Sequence, residues 1–307
     1  MGKKRRCDTR QVVRVQITVI ANCQARPVAE YVRLLGRDVE IVDILITHLA
    51  KDADAARLEQ AAAKSDFIFA QLVQPNYPVQ FVRSAALKER YGDRVLLWPN
   101  LFFKGQTPDL CYVTAANGAR VVGPLSEYHS RPVVDAWLAG STVDQTEVLL
   151  TTGQIDTTGL RDLVAASLEE LRRREQQCSV GVADVIAERW QSRRYFFTFN
   201  HPVSELMLKV AQGLLTCTGQ RSALSLHGSH VNEPLCQFVP PAWPAIVEEL
   251  RLEFPTSTSS RGVPVDLSSG RVRPSPGAAY YTARELIETF FRCYDVQRSL
   301  LAGCRFT

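Results

Sequence analysis

The stretch Ile17-Thr18-Val19-Ile20-Ala21-Asn22-Cys23-Gln24-Ala25-Arg26-Pro27 decides the fold class. A run rich in β-branched residues from Val12 to Ile20 predicts a strand. The polar residues Asn22 to Gln24 end it, and Pro27 opens a helical pattern that runs to Leu35. Strand, tight turn and helix in that order form the first half of a parallel-sheet crossover unit.

The same alternation continues outward. Further strands are expected at Val39–Ile46, Phe67–Gln71, Val95–Trp98 and Arg120–Val122, with helices at Ala53–Lys64 and Val79–Arg90 between them. This is an α/β pattern, a Rossmann-like and mainly parallel sheet in the N-terminal half. From Leu125 onward the chain reads as mostly helical, with segments at Glu127–Leu138, Leu160–Gln176, Val182–Trp190 and Val203–Leu215. A β-rich run at Tyr195–Phe199 is expected to return to the sheet. The expected division is therefore residues 1–124 as the sheet domain and 125–307 as a mostly helical part. Long loops are expected at 231–244 and 255–277, both rich in breakers, before a final helix at Ala283–Leu301.

Composition bounds the function. With 307 residues and 46% hydrophobic side chains, the chain can bury a large core. A net formal charge of +4 and no concentrated basic stripe argue against a nucleic-acid partner and fit a small anionic ligand. The Lys3 to Arg6 cluster is followed by Cys7 to Gln11 and Arg14 rather than by an apolar run, so no export signal is read and a cytoplasmic location is expected. No stretch reaches the ~20 apolar residues of a membrane span, which limits any association with a membrane-bound machinery to a peripheral one. Eight cysteines without Cys-x-x-Cys or Cys/His zinc spacing read as reduced thiols, with no metal site. No P-loop, Gly-x-Gly-x-x-Gly after the first strand or Gly-x-Ser-x-Gly elbow is present.

In an open parallel sheet, ligands bind beyond the carboxyl ends of the strands. Cys23 stands there, where the start of a helix should favour its thiolate. Asn22, Gln24 and the helix-start N–H groups are placed to hold an oxyanion, and Arg26 to meet a phosphate. The same residues also fit a plainer reading, in which Asn22 caps the helix, Cys23 packs inward and Arg26 is solvated. Candidate bases are His48, after the second strand, and His201, between a β-like run and a helix. His129, His227 and His230 are weaker by position. Gln71, after the third strand, and Pro99 to Gln106 with Lys104, after the fourth, open onto the same edge.

The segment ITVIANCQARPVAEYVRLL (17–35), followed by FAQLVQPNY (69–77), WPNLFFKGQTPDL (98–110) and FTFNHP (197–202), resembles the WcbI-like capsular polysaccharide biosynthesis proteins over about the first two thirds of the chain. The resemblance implies a bacterial O-acetyltransferase, associated with virulence through the capsule. It would use acetyl-coenzyme A as donor and a capsule sugar of the deoxyheptose type as acceptor. Carried onto this sequence, it implies catalytic Cys23 with His48 or His201, and coenzyme contacts from Asn22, Gln24, Arg26, Gln71, Lys104 and Asn200. The chain departs from the pattern at Ala21, where relatives carry Gly, and at Gln106 and Thr107, where they carry an aromatic residue and a histidine. A glycan acyl-ester hydrolase and a non-catalytic coenzyme-binding scaffold remain alternatives. The oligomeric state is open.

Overall fold

The computed structural model describes residues 14–220 and 232–307. Val12 and Val13 of the first expected strand, His227 and His230 lie outside them. In chain order the first elements are β1 (Val15–Ala21), α1 (Ala25–Leu35), β2 (Val39–Ile46), α2 (Ala55–Lys64), β3 (Phe67–Gln71), α3 (Ser84–Tyr91) and β4 (Val95–Trp98). There follow β5 (Leu110–Thr114), β6 (Tyr128–Ser130), α4 (Arg131–Leu138), α5 (Val143–Thr151), α6 (Leu160–Glu175), α7 (Ala183–Arg189), β7 (Phe196–Thr198), β8 (His201–Pro202) and α8 (Ser204–Cys217). The last part holds α9 (Pro244–Leu250), β9 (Ser260–Gly262), β10 (Val265–Asp266), β11 (Arg273–Pro274), β12 (Ala279–Tyr281), α10 (Ala283–Val296), α11 (Arg298–Leu301) and β13 (Arg305–Phe306).

The chain forms two compact units. Within the described residues, one comprises the chain through Asn100 with Gln177–Gly181 and 207–220, and the other Leu101–Gln176, Val182–Leu206 and 232–307.

The first unit is built on one parallel sheet of order β2-β1-β3-β4. β1 is buried on both faces, with Ile17, Val19, Ile20 and Ala21 all 0% exposed, which explains why it reads as a nearly continuous apolar run rather than an alternating one. Ile20 joins Leu45, Leu58, Ala62, Ile68, Ala70, Val95 and Leu97 in a cluster beneath α2 and α3. The one polar side chain turned into β1's core, Thr18, donates to Ser65 Oγ at 2.8 Å, and Ser65 donates in turn to Ala61 O. Both buried hydroxyls are thus satisfied, as burial requires.

Expected and observed elements differ where tertiary bonding overrides local pattern. The helix expected at Val79–Arg90 breaks at Arg83, whose backbone is extended. There Ser84 exchanges two hydrogen bonds with Val73, as N–H donor at 3.2 Å and side-chain acceptor at 2.8 Å. The expected strand Arg120–Val122 is reduced to a single bridge between Arg120 and Thr114.

The second unit holds short antiparallel sheets and helices. β5 pairs with β6 and β13. Glu127–Leu138, expected as a helix throughout, begins as strand β6, and α4 starts only at Arg131, next to Pro132. The run at Tyr195–Phe199 pairs with β8 rather than returning to the parallel sheet. Within 255–277, β10 and β11 pair with each other, and β9 pairs with β12 beyond it. α10 packs Leu286, Ile287, Phe290 and Tyr294 inward, and its start is fixed by a reciprocal Thr282/Glu285 capping box.

Candidate active site at the mouth of the parallel sheet

After β1 the chain crosses to β2 on one side and later to β3 on the other, so the strand order reverses between β1 and β3. A crevice at the carboxyl ends of two such strands is where open α/β sheets bind ligands. Asn22 follows β1 and Gln71 ends β3, and they meet there. Asn22 N–H donates to Gln71 Oε1 at 3.2 Å, and Gln71 Nε2 donates to Gln24 Oε1 at 3.0 Å. Gln71 and Gln24 are both buried. Asn100, two residues beyond β4, presents Oδ1 at 3.5 Å to both Asn22 Nδ2 and Gln71 Nε2.

The turn closes on itself. Asn22 Oδ1 accepts the Gln24 N–H at 3.0 Å, and Ala25 N–H donates to Asn22 O at 3.0 Å. Asn22 thus closes an Asx turn onto Gln24, while the cap position of α1 is Gln24 itself, without a side-chain cap, so the reading of Asn22 as the helix cap is not met. The Cys23 thiol, half-buried, donates to Asn22 Oδ1 at 3.7 Å. Burial pushes its pKa up, and a hydrogen bond with its own backbone opposes that only in part. The expectation that the helix start favours the thiolate is corrected here, because desolvation outweighs it and the resting group is the neutral thiol.

The other expected site residues fall in three places. Arg26 is exposed on the first turn of α1, and His48 is exposed in a single 3-10 turn after β2, with no hydrogen bond to Cys23 among the described residues. His129 is fully buried and saturated, its Nε2 3.0 Å from Val121 O and its Nδ1 2.9 Å from the Tyr294 hydroxyl, so it is structural. Lys104, Asn200 and His201 belong to the second unit. The Lys104 ammonium lies 5.6 Å from the centre of the Phe199 ring. Asn200 Oδ1 accepts from the Tyr128 hydroxyl at 2.7 Å and the Thr198 hydroxyl at 3.0 Å, while its Nδ2 donates to the Tyr112 hydroxyl at 3.0 Å. His201 Nε2 is 3.3 Å from the Tyr128 hydroxyl, and its ring is stacked on Phe238. Burial lowers the His201 pKa to about 4, so the ring is neutral at physiological pH.

Sequence reading missed Tyr112, Tyr128 and Thr198 as members of this network. Tyr128 was hidden in a segment read as helix; the signal available was Pro132, which favours a helix beginning after Tyr128. Gln106 serves as a brace. Its Oε1 accepts from the N–H of Tyr195 and Phe196 at 2.8 and 2.9 Å, and its Nε2 donates to Trp190 O and Arg193 O, both at 2.6 Å.

A family model described as "Polysaccharide biosynthesis enzyme WcbI" matches residues 16–222. The chain belongs to the WcbI family. It is thus an enzyme of polysaccharide biosynthesis by family. A solved structure of WcbI, described as a novel polysaccharide biosynthesis enzyme in its native form without a disulfide bond between coenzyme A and a cysteine, is similar over 94% of this chain and 92% of that one. The TM-score is 0.68 at 18% identity, so the two share a fold. No curated protein sequence matches the chain. In this WcbI-family member no helix among the described residues is long and apolar enough to cross a membrane.

Proposed function

We propose that this WcbI-family chain is an acyltransferase that moves an acetyl group from acetyl-coenzyme A to a hydroxyl of a capsular sugar, of deoxyheptose type by resemblance, with Cys23 as nucleophile. The observation that carries the reading is the position of the Cys23 thiol at the strand-order reversal, in a turn held by Gln71. The description of the solved relative, which concerns a bond between coenzyme A and a cysteine, supports a cysteine within reach of the coenzyme's thiol end.

The chemistry follows from the neutral thiol. Cys23 Sγ attacks the thioester carbon, the coenzyme sulfur leaves, and the Cys23 proton ends on that sulfur. One thioester replaces another, so the step is close to thermoneutral. The N–H groups of Asn22, Gln24 and Ala25 are already engaged within the turn and by Gln71, and Pro27 has none. The oxyanion is assigned to Asn22 Nδ2, whose contact with Asn100 is long. Arg26 is assigned to a coenzyme phosphate. The sugar hydroxyl then attacks acetyl-Cys23, and its proton goes to a base. Of the two histidines, the neutral and enclosed His201 has the state a base requires, whereas His48 is exposed. Cys23 and His201 lie in different units, and their parts rest on the chemistry each shows in its own unit.

Thermal unfolding with coenzyme A and with its analogue lacking the 3′-phosphate tests the cofactor. At a hundred times the dissociation constant a ligand adds about 2.7 kcal/mol. Coenzyme A should raise the transition and the analogue should raise it less. Incubation with acetyl-coenzyme A should add one acetyl mass to wild type and none to Cys23→Ala. An unchanged transition at saturating coenzyme A would reject the acyltransferase reading.

A further inference from the structure

We propose that Tyr128 is a positioning residue that fixes His201 as the tautomer protonated at Nε2, leaving Nδ1 to receive the proton of the acceptor hydroxyl. This deepens the reading of His201 as the base and rests on it.

The argument is one of hydrogen-bond polarity. The Tyr128 hydroxyl has one proton and two neighbours that can accept it, Asn200 Oδ1 at 2.7 Å and His201 Nε2 at 3.3 Å. A separation of 2.7 Å suits O–H···O, whereas N–H···O bonds centre near 2.9–3.0 Å. The 3.0 Å contact between Asn200 Nδ2 and the Tyr112 oxygen fits an amide donor in its turn. Thr198 adds a second donor to the same Asn200 oxygen. With its proton given to Asn200, Tyr128 offers His201 only a lone pair, so Nε2 must be the donor of that contact. The network then runs in one direction, from His201 through Tyr128 to Asn200, with the Asn200 amide pointing on to Tyr112.

One imidazole proton is thereby placed. Burial leaves the resting ring neutral near pH 7, so Nδ1 carries a lone pair. That nitrogen is enclosed and has no hydrogen-bond partner among the described residues. A buried acceptor without a donor is an exception that calls for an account, and a substrate hydroxyl supplies the missing donor. In the second half of the reaction the hydroxyl oxygen forms its bond to the acetyl carbon and its proton moves to Nδ1. The carbon–sulfur bond then breaks, the leaving sulfur of Cys23 takes a proton from solvent, and Nδ1 gives its own proton back to solvent. The ring returns to its starting tautomer, which Tyr128 has held throughout. The opposite tautomer would present an N–H to the incoming hydroxyl and would have no basic site for its proton.

The test is a nitrogen-15 spectrum of the full chain labelled in its histidines, with His201 assigned by its loss in His201→Gln. Wild type should show Nε2 protonated and Nδ1 bare near pH 7. Tyr128→Phe removes the acceptor of Nε2–H, so the two nitrogen shifts should move toward each other as the tautomers mix. Coenzyme A release from acetyl-coenzyme A with methyl mannoside as probe acceptor should fall about tenfold or more in kcat, by analogy with the loss when a catalytic histidine adopts the wrong tautomer. KM for acetyl-coenzyme A should not change. A wild-type spectrum with the proton on Nδ1 overturns the proposal without any variant, and leaves the base reading standing if His201→Gln is inactive. Full turnover in His201→Gln rejects the base reading, and the proposal with it.

Discussion

Gln71 Nε2 donates to Gln24 Oε1 at 3.0 Å while Gln71 Oε1 accepts the backbone N–H of Asn22 at 3.2 Å, so one side chain from β3 fixes both residues that flank Cys23. Replacing it with leucine keeps the volume and removes both bonds. Losing hydrogen bonds to buried groups costs about 1–3 kcal/mol. Gln71→Leu should lose that much in urea unfolding, and its Cys23 should react faster with iodoacetamide as the turn loosens. Unchanged stability would mean that the turn holds itself.

The raised Cys23 pKa has a kinetic signature. The thiolate is the reactive form, so alkylation of Cys23, located by peptide mass, should be slow at pH 7. It should still be climbing, at about tenfold per pH unit, beyond the ~8.5 of an ordinary thiol. A plateau between pH 7 and 8 would show that the helix start wins over burial after all.

Asp109 is buried with no ion pair among the described residues, accepting from the Ser130 hydroxyl at 2.8 Å, and burial raises its pKa from 3.8 to about 6. The folded state therefore holds the proton more tightly than the unfolded one. Its contribution is full below about pH 4 and is lost as pH rises through about 6, a change of about 3 kcal/mol. Asp109→Asn stays neutral throughout. Measured by urea unfolding, the variant should gain on wild type by up to that amount between pH 4 and 7.5. A difference independent of pH would contradict the assignment.

Gln106 uses both its oxygen and its nitrogen on backbone groups of 190–196, and Gly105 beside it leaves room for the Phe103 ring, which a Cβ would approach to 2.2 Å. Gln106→Glu would set a carboxylate oxygen against two carbonyls. A loss of about 3 kcal/mol or more is expected from the unpaired groups, read as a lower urea midpoint. Wild-type stability in this variant would show that the brace is dispensable.

How much of this was legible depended on the range of the forces involved. The bounds of β3 and β4 follow directly from apolar runs, since strands buried on both faces must be apolar throughout, whereas the edge strand β2, with Glu40 and Asp43 in it, is marked by its β-branched residues. Cys23 and Gln71 could be placed at strand ends because strand ends are local features. That β1 lies between β2 and β3 could not be read, and the meeting of Gln71 with Gln24 depends on it. Gln106 gave no local sign of its role, because its partners lie more than eighty positions away. The thiol pKa was misjudged for the same reason: the helix start is visible in sequence, whereas the packing that desolvates Cys23 is not.

The cluster around the thiol is made of carboxamides, Asn22, Gln24, Gln71 and Asn100, without an ionised group among them. Dipoles of this kind aim at a ligand without attracting counterions. These four side chains carry no charge for salt to screen, so the bonds among them are insensitive to ionic strength. If the proposed acetyl-coenzyme A donor is used, its salt dependence is expected to come from Arg26 and the donor's phosphates rather than from the amide cluster around the thiol.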